Sequence, residues 1–154
     1  MNMLHWAILP LKRYTDFSGR SRRMEYWSFT LFTVIATFVL MIPALTSFSG
    51  LDWENPDSWF ADGNFPIGMI ISGILFAVFW LGILIPSIAL TIRRLHDRNM
   101  SGWFYLGFVV LSNIPAVGFV ISIAFLVIMF LPGTSGPNTY GLDPKNPYQD
   151  DVFA

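Results

Sequence analysis

The stretch GWFYLGFVVLSNIPAVGFVISIAFLVIMFL, residues 102–131, decides how this chain folds. It runs for 30 residues without a charge, too long for one upright crossing of a bilayer and too short for two full crossings joined by a turn. Asn113, Pro115 and Gly118 divide it near its middle. Pro and Gly placed this way mark a turn or a sharp kink. Two arrangements follow. One is a single kinked span. The other is a hairpin of two short helices whose tip is buried among the other spans, because non-helical backbone at membrane depth needs protein around it.

Two further charge-free stretches, 26–51 and 63–92, hold 26 and 30 residues, and about 20 apolar residues suffice for one crossing. Over all 154 residues 54% are hydrophobic, 17% aromatic and only 12% charged, and the mean hydropathy is +0.55. Soluble domains carry roughly 25% charged residues, so the usual polar coat is missing. The fold class expected is all-α: a polytopic transmembrane helical bundle with two full spans plus the broken third region, which makes four helices if the hairpin forms. The absence of Cys and a formal net charge of −1 exclude a disulfide scaffold and a basic nucleic-acid binder. The strand alternation of an outer-membrane barrel is missing too.

One membrane domain over 1–154 is expected. Residues 1–25 form a cytoplasmic or interfacial segment, 26–46 the first span, 47–66 a loop, 67–92 the second span, 93–101 a polar connection, 102–131 the third region and 132–154 a Gly/Pro-rich tail. The N-terminus does not read as a signal peptide, because its apolar stretch follows no basic residue and contains Pro10. Leu4, Ile8 and Leu11 share a helical face with Trp6, Lys12 and Arg13 close by, a pattern suited to the headgroup region. In the first span, Thr30, Thr33 and Thr37 recur at near-helical spacing and are expected to face another helix. The second span carries Gly68 with Ser72, and Gly73 with Ala77, small pairs that let helices approach.

Basic residues orient the chain. Lys12, Arg13, Arg20, Arg22 and Arg23 precede the first span, Arg93, Arg94 and Arg98 follow the second, and the loop between the spans has none. Its charges are acidic: Asp52, Glu54, Asp57 and Asp62, set among Trp53, Trp59 and Phe60. Positive charge marks the cytoplasmic side, so the N-terminus and the segment around His96 are expected inside and the acidic loop outside. Lys145 alone follows the third region and does not place the C-terminus.

Three polar clusters flank the membrane boundaries. The first, residues 17–27, reads FSGRSRRMEYW. The second, 93–103, reads RRLHDRNMSGW, and the third, 132–144, reads PGTSGPNTYGLDP. In this order they resemble the DUF805 family of small bacterial inner-membrane proteins. That family's pattern has an F-x-G-R-x-x-R-x-E-Y-W opening, an R-R-L-H-D-x-x-x-S-G-W centre and a G-T-x-G-x-N-x-Y-G-x-D-P close. The resemblance covers about 17–144 and implies a location in the bacterial inner membrane. It supplies no catalytic residues, since the family is defined without a known function.

The clusters therefore stand on their own chemistry. Glu25 at a span entrance is costly unless partnered, and Arg20 or Arg23 is expected to pair with it or with another cluster's carboxylate. If the hairpin forms, all three clusters share one face, with Asp143 and Glu25 available to Arg20, Arg93 or Arg94. That economy of polar groups favours the hairpin. The candidate polar cluster comprises Arg20, Arg23, Glu25, Arg93, Arg94, His96, Asp97, Asn138, Tyr140 and Asp143.

His96 and Asp97 are helical neighbours pointing about 100° apart, so they do not serve each other as base and orienter. Asp97 is expected to cap the helix or to begin the turn that 99–102 completes. Two His and no Cys fall short of a zinc site, and the Gly-rich tail lacks P-loop spacing. No cofactor, metal or catalytic residue is expected. Gly133, Gly136 and Gly141 instead suggest a loop set by backbone geometry. The expected partners are the bilayer with its anionic headgroups, and a second copy or a membrane partner protein, with no nucleic acid. The expected role is that of an integral inner-membrane protein, structural or partner-binding. The alternatives are an oligomeric transporter or channel component, which would lack ionisable groups within its spans, and a leaflet enzyme using His96 and nearby arginines on a phosphate ester.

Overall fold

A computed structural model describes residues 2–52, 54–59 and 67–146. Among these the chain is helical: α1 (Met3–Lys12), α2 (Arg23–Ser49), a short 3-10 turn (Pro56–Trp59), α3 (Ile67–Asp97), α4 (Trp103–Ser112) and α5 (Val117–Phe130). Parts of the loop expected at 47–66, and the tail from 147, lie outside the described residues.

α2 and α3 are long and apolar enough to cross a membrane. With 31 residues, α3 extends about 46 Å at 1.5 Å per residue. It does not stop at Ile92. The charged segment expected as a connection is helical through Asp97, because Arg93, Arg94 and Asp97 find partners and are almost fully buried there. Its end is a Schellman turn. Asn99 takes φ 57°, Met100 N–H donates to the Leu95 carbonyl at 3.0 Å, and Asn99 N–H donates to that of His96 at 2.9 Å.

The third apolar region is a hairpin, but its tip is not buried as expected, since residues 112–117 are exposed. α4 and α5 pack side by side with Phe108 and Phe125 edge to face, ring centres 5.1 Å apart. Between the helices, Val117 N–H donates to the Pro115 carbonyl at 2.8 Å across Ala116, which is held at φ 65°. This is a γ-turn of the strained, positive-φ kind. Gly118 then lies so close to the Ser112 carbonyl that a Cβ there would collide with it.

The described chain divides into two compact units, residues 1–30 with 85–154, and residues 31–84. In the second unit α2 and α3 meet through small groups. Ala44 N–H, just after Pro43, donates to Ser72 Oγ at 2.9 Å, and Gly68 backs onto the Pro43 carbonyl. Gly73 has open space where a Cβ would stand and Ala77 is exposed, so only the first of the two small-residue pairs lies at a contact. Thr30 turns its hydroxyl back to the Tyr26 carbonyl of its own helix instead of facing another.

Burial is inverted relative to a water-soluble protein. Among the described residues, nine polar or charged side chains are buried against seven hydrophobic ones, while Leu4, Phe38, Leu81 and Phe119 are each at least 70% exposed. Surfaces of this kind suit hydrocarbon, and charges are buried only where they are paired.

Candidate functional site

The inverted interior centres on Asp97, at the last turn of α3. Its Oδ1 accepts from Arg20 Nε at 3.0 Å and lies 2.9 Å from Arg20 Nη2 in an ion pair, and its Oδ2 accepts from Arg94 Nη1. All three side chains are at most 5% exposed. Gly133 packs so tightly on this carboxylate that a Cβ would overlap it. Close approach, and not positive φ, is what demands glycine there. Positive φ is seen instead at Gly136 (75°) and Gly141 (128°).

Beside it lies a second pair. Arg93 Nη2 donates to Glu25 Oε1 at 3.1 Å, and Ser21 Oγ donates to Glu25 Oε2 at 2.8 Å. The other end of the Arg93 guanidinium donates to the Asp16 carbonyl, at 2.5 Å, and to that of Arg13. The connection after α1 is thereby tied to α3. Removing charges from water is costly, and the ion pair with the bonds from both Nη groups of Arg93 offsets it, while Arg93 Nε is buried without a partner among the described residues.

Arginines also close the end of α5. The last carbonyls of a helix lack partners within it, and the helix dipole favours cations there. Met129 O accepts from Arg94 Nε and Nη2, both at 3.4 Å, and Phe130 O from Arg23 Nη1 at 3.2 Å. Leu131 O accepts from Arg94 Nη2, and Pro132 O from Arg98 Nη1 at 2.5 Å.

The Gly-rich loop caps α3 in the same manner. Thr134 N–H donates to the Asp97 carbonyl at 2.8 Å and Asn138 Nδ2 to that of His96 at 2.9 Å. Asn138 Oδ1 accepts Tyr140 N–H at 2.8 Å, which shapes the turn that lays Tyr140 flat on His96, with ring centres 3.9 Å apart and 5° between planes. His96 Nδ1 faces the Gly19 carbonyl at 3.2 Å, and a carbonyl only accepts, so this nitrogen carries the proton. Burial pushes the Asp143 carboxyl up. The N–H groups of Lys145 and Gly136 and the Arg20 charge outweigh that, and the net effect is below its ordinary value.

All ten residues of the expected polar cluster thus fall in the first unit. Two pairings follow the sequence expectation, Arg20 with a carboxylate of another cluster, Asp97, and Arg93 with Glu25, while Asp143 and Arg23 find backbone partners. Asp97 serves two guanidiniums with its side chain, while its carbonyl takes the cap. Both its oxygens being occupied, it does not orient His96, and Ser101 Oγ accepts the N–H of Trp103 within its own turn. Ser21, Thr134, Gly133 and Arg98 belong to the layer although the expected polar cluster did not include them. The Gly-Thr pair that opens the third motif was the one sequence signal available for two of them.

The family described as "Protein of unknown function (DUF805)" matches residues 14–142. The chain is 36% identical over 143 residues to the Inner membrane protein YhaI of Escherichia coli K12, covering 92% of this chain and 97% of the relative. It is 37% identical over 142 residues to the Inner membrane protein YhaH of the same organism, covering 92% and 98%. No solved structure matches. With its inverted burial and two membrane-length helices, the chain belongs to the DUF805 family of inner-membrane proteins.

Proposed function

We propose that this protein is a non-catalytic membrane scaffold whose working part is the arginine-rich layer, held on the cytoplasmic face for a membrane partner or a second copy. The observation that carries this is Asp97 held between Arg20 and Arg94, which joins the N-terminal segment, the end of α3 and the Gly-rich loop. A buried network whose carboxylates are each paired with arginine is suited to rigidity, whereas catalysis needs several convergent free groups. The basic residues of 12–23 and 93–98 supply the sidedness by the positive-inside rule.

Cysteine labelling in intact cells tests the placement, aided by the lack of native Cys. Ser135 and Ser49 are both exposed. Ser49→Cys is expected to react with a membrane-impermeant thiol reagent from outside, and Ser135→Cys only after lysis. Reaction of Ser135→Cys from outside would put the layer on the wrong face and end the proposal.

A further inference from the structure

The charges of this layer do not balance, and the surplus lies beside an open cavity. Asp97 is one negative charge shared by Arg20 and Arg94, and Arg22, Arg23 and Arg98 meet no carboxylate among the described residues. Where α1 crosses the first arginine cluster, a cavity of about 310 Å³ opens, lined by His5, Trp6, Arg13, Arg20, Arg22 and Glu25 among others. That volume is at the low end for ligand pockets.

Its lining has an acceptor-seeking edge. Arg22 Cζ lies over the Trp6 ring, 5.6 Å from its centre, and its Nη2 donates to the Pro144 carbonyl. Nε and Nη1 have no partner among the described residues, so donors of this guanidinium remain for a ligand. Arg13 spends Nε and Nη2 on Asp16, which leaves Nη1. Arg20 donates inward through all its nitrogens and contributes charge alone. Glu25, the one carboxylate in the lining, is offset because Arg93 and Ser21 occupy both its oxygens. A guanidinium with free donors, set over an indole and flanked by a second guanidinium, suits the oxygens of phosphate.

We propose that this cavity is a phosphate site, with Arg22 as its principal donor, Arg13 as a second and the Trp6 ring beneath the Arg22 cation. A lipid headgroup is the favoured source, because α1 presents Met3, Leu4 and Ile8 outward, 58%, 73% and 45% exposed, as an in-plane interfacial helix would. The lipid form of the proposal rests on the layer facing the anionic leaflet. The phosphate site itself does not.

Native mass spectrometry of the purified full chain in detergent, with phosphatidylglycerol added, tests it. Wild type is expected to retain the lipid. Arg22→Gln should lower retention about tenfold, the loss of one paired charge-assisted contact. Arg98→Gln, an equal charge change at the far side of the layer, should leave retention unchanged. Trp6→Leu should weaken retention without touching a charge, and it guards against a folding defect in the Arg22 variant, as do matched unfolding midpoints. Millimolar inorganic phosphate that displaces the lipid from wild type only through Arg22 would assign the site to free phosphate instead of a headgroup. Equal losses in the Arg22 and Arg98 variants, or no retention by wild type, would overturn the proposal. Either failure leaves the cysteine-labelling result standing, so the two readings fail separately.

Discussion

In residues 31–84, α2 meets α3 through a glycine against a carbonyl and one serine hydroxyl on a backbone N–H. In residues 1–30 with 85–154, the helix ends are joined by guanidiniums reaching carboxylates and four successive carbonyls. The contrast follows from the surroundings. Between helices in hydrocarbon there is no hydrophobic drive to associate, so close packing and single hydrogen bonds must serve, and each contributes little. At helix ends the orphan carbonyls and entering loops offer many acceptors, and arginine, with five donors on one plane, satisfies several at once. The first unit therefore concentrates its cohesion in few residues, whereas the second spreads it.

Asp97 is where that concentration breaks most visibly. Asp97→Ala leaves Arg20 and Arg94 buried without their counter-charge, and breaking a buried pair in this way costs about 3–5 kcal/mol. A large fall in the thermal unfolding midpoint in detergent is expected. Glu54→Gln, at an exposed position, should change stability by no more than about 0.5 kcal/mol. A small effect of Asp97→Ala would mean that the carbonyl contacts alone hold the layer.

Ser72→Ala probes the other unit. It leaves the Ala44 N–H without its interhelical acceptor, and such bonds in membrane proteins are worth about 0.6 kcal/mol on average and about 1.7 at most. A loss near 1 kcal/mol in the same unfolding assay, well under that of Asp97→Ala, is expected. Equal losses would erase the difference between the units.

How far the sequence announced all this depends on what kind of group does the binding. The hairpin was legible because Pro115 and Gly118 carry their backbone consequences in their identity. The strained turn at Ala116 was not, since alanine gives no sign of positive φ. The three motifs pointed to a shared polar layer, because charges at a span boundary need partners. The pairing was hidden, since Arg20 and Asp97 lie 77 residues apart and several carboxylates would have served equally well. The closure of α5 by Arg23, Arg94 and Arg98 was the least legible feature. Its acceptors are main-chain carbonyls, which every residue has, so no residue type marks them. Likewise α3 continues past Ile92 because tertiary partners pay for its charges, a cost that hydropathy alone places in water.

Acid should separate the two units most gently, through Asp16 in the connection after α1. The Ser18 hydroxyl at 2.6 Å, then Arg13 and the Ser18 N–H, hold the Asp16 carboxyl down at about 2 from an ordinary 3.8, against a smaller upward push from burial. A carboxyl whose native value is depressed stabilises the fold above its unfolded value, and that contribution is lost as pH falls through the native one. The window is therefore from about pH 4 down to about pH 2. Asp16 is partly exposed, so the change should be small and local to the connection whose carbonyls Arg93 holds. Wild type and Asp16→Asn should differ in unfolding midpoint by a constant amount above about pH 4, with the difference closing toward about pH 2. Cysteines placed within 31–84 should keep their labelling rates relative to a small free thiol measured at the same pH. A difference that persisted at pH 2 would remove Asp16 as the titrating group, and altered labelling within 31–84 would show that acid does not distinguish the polar unit from the apolar one.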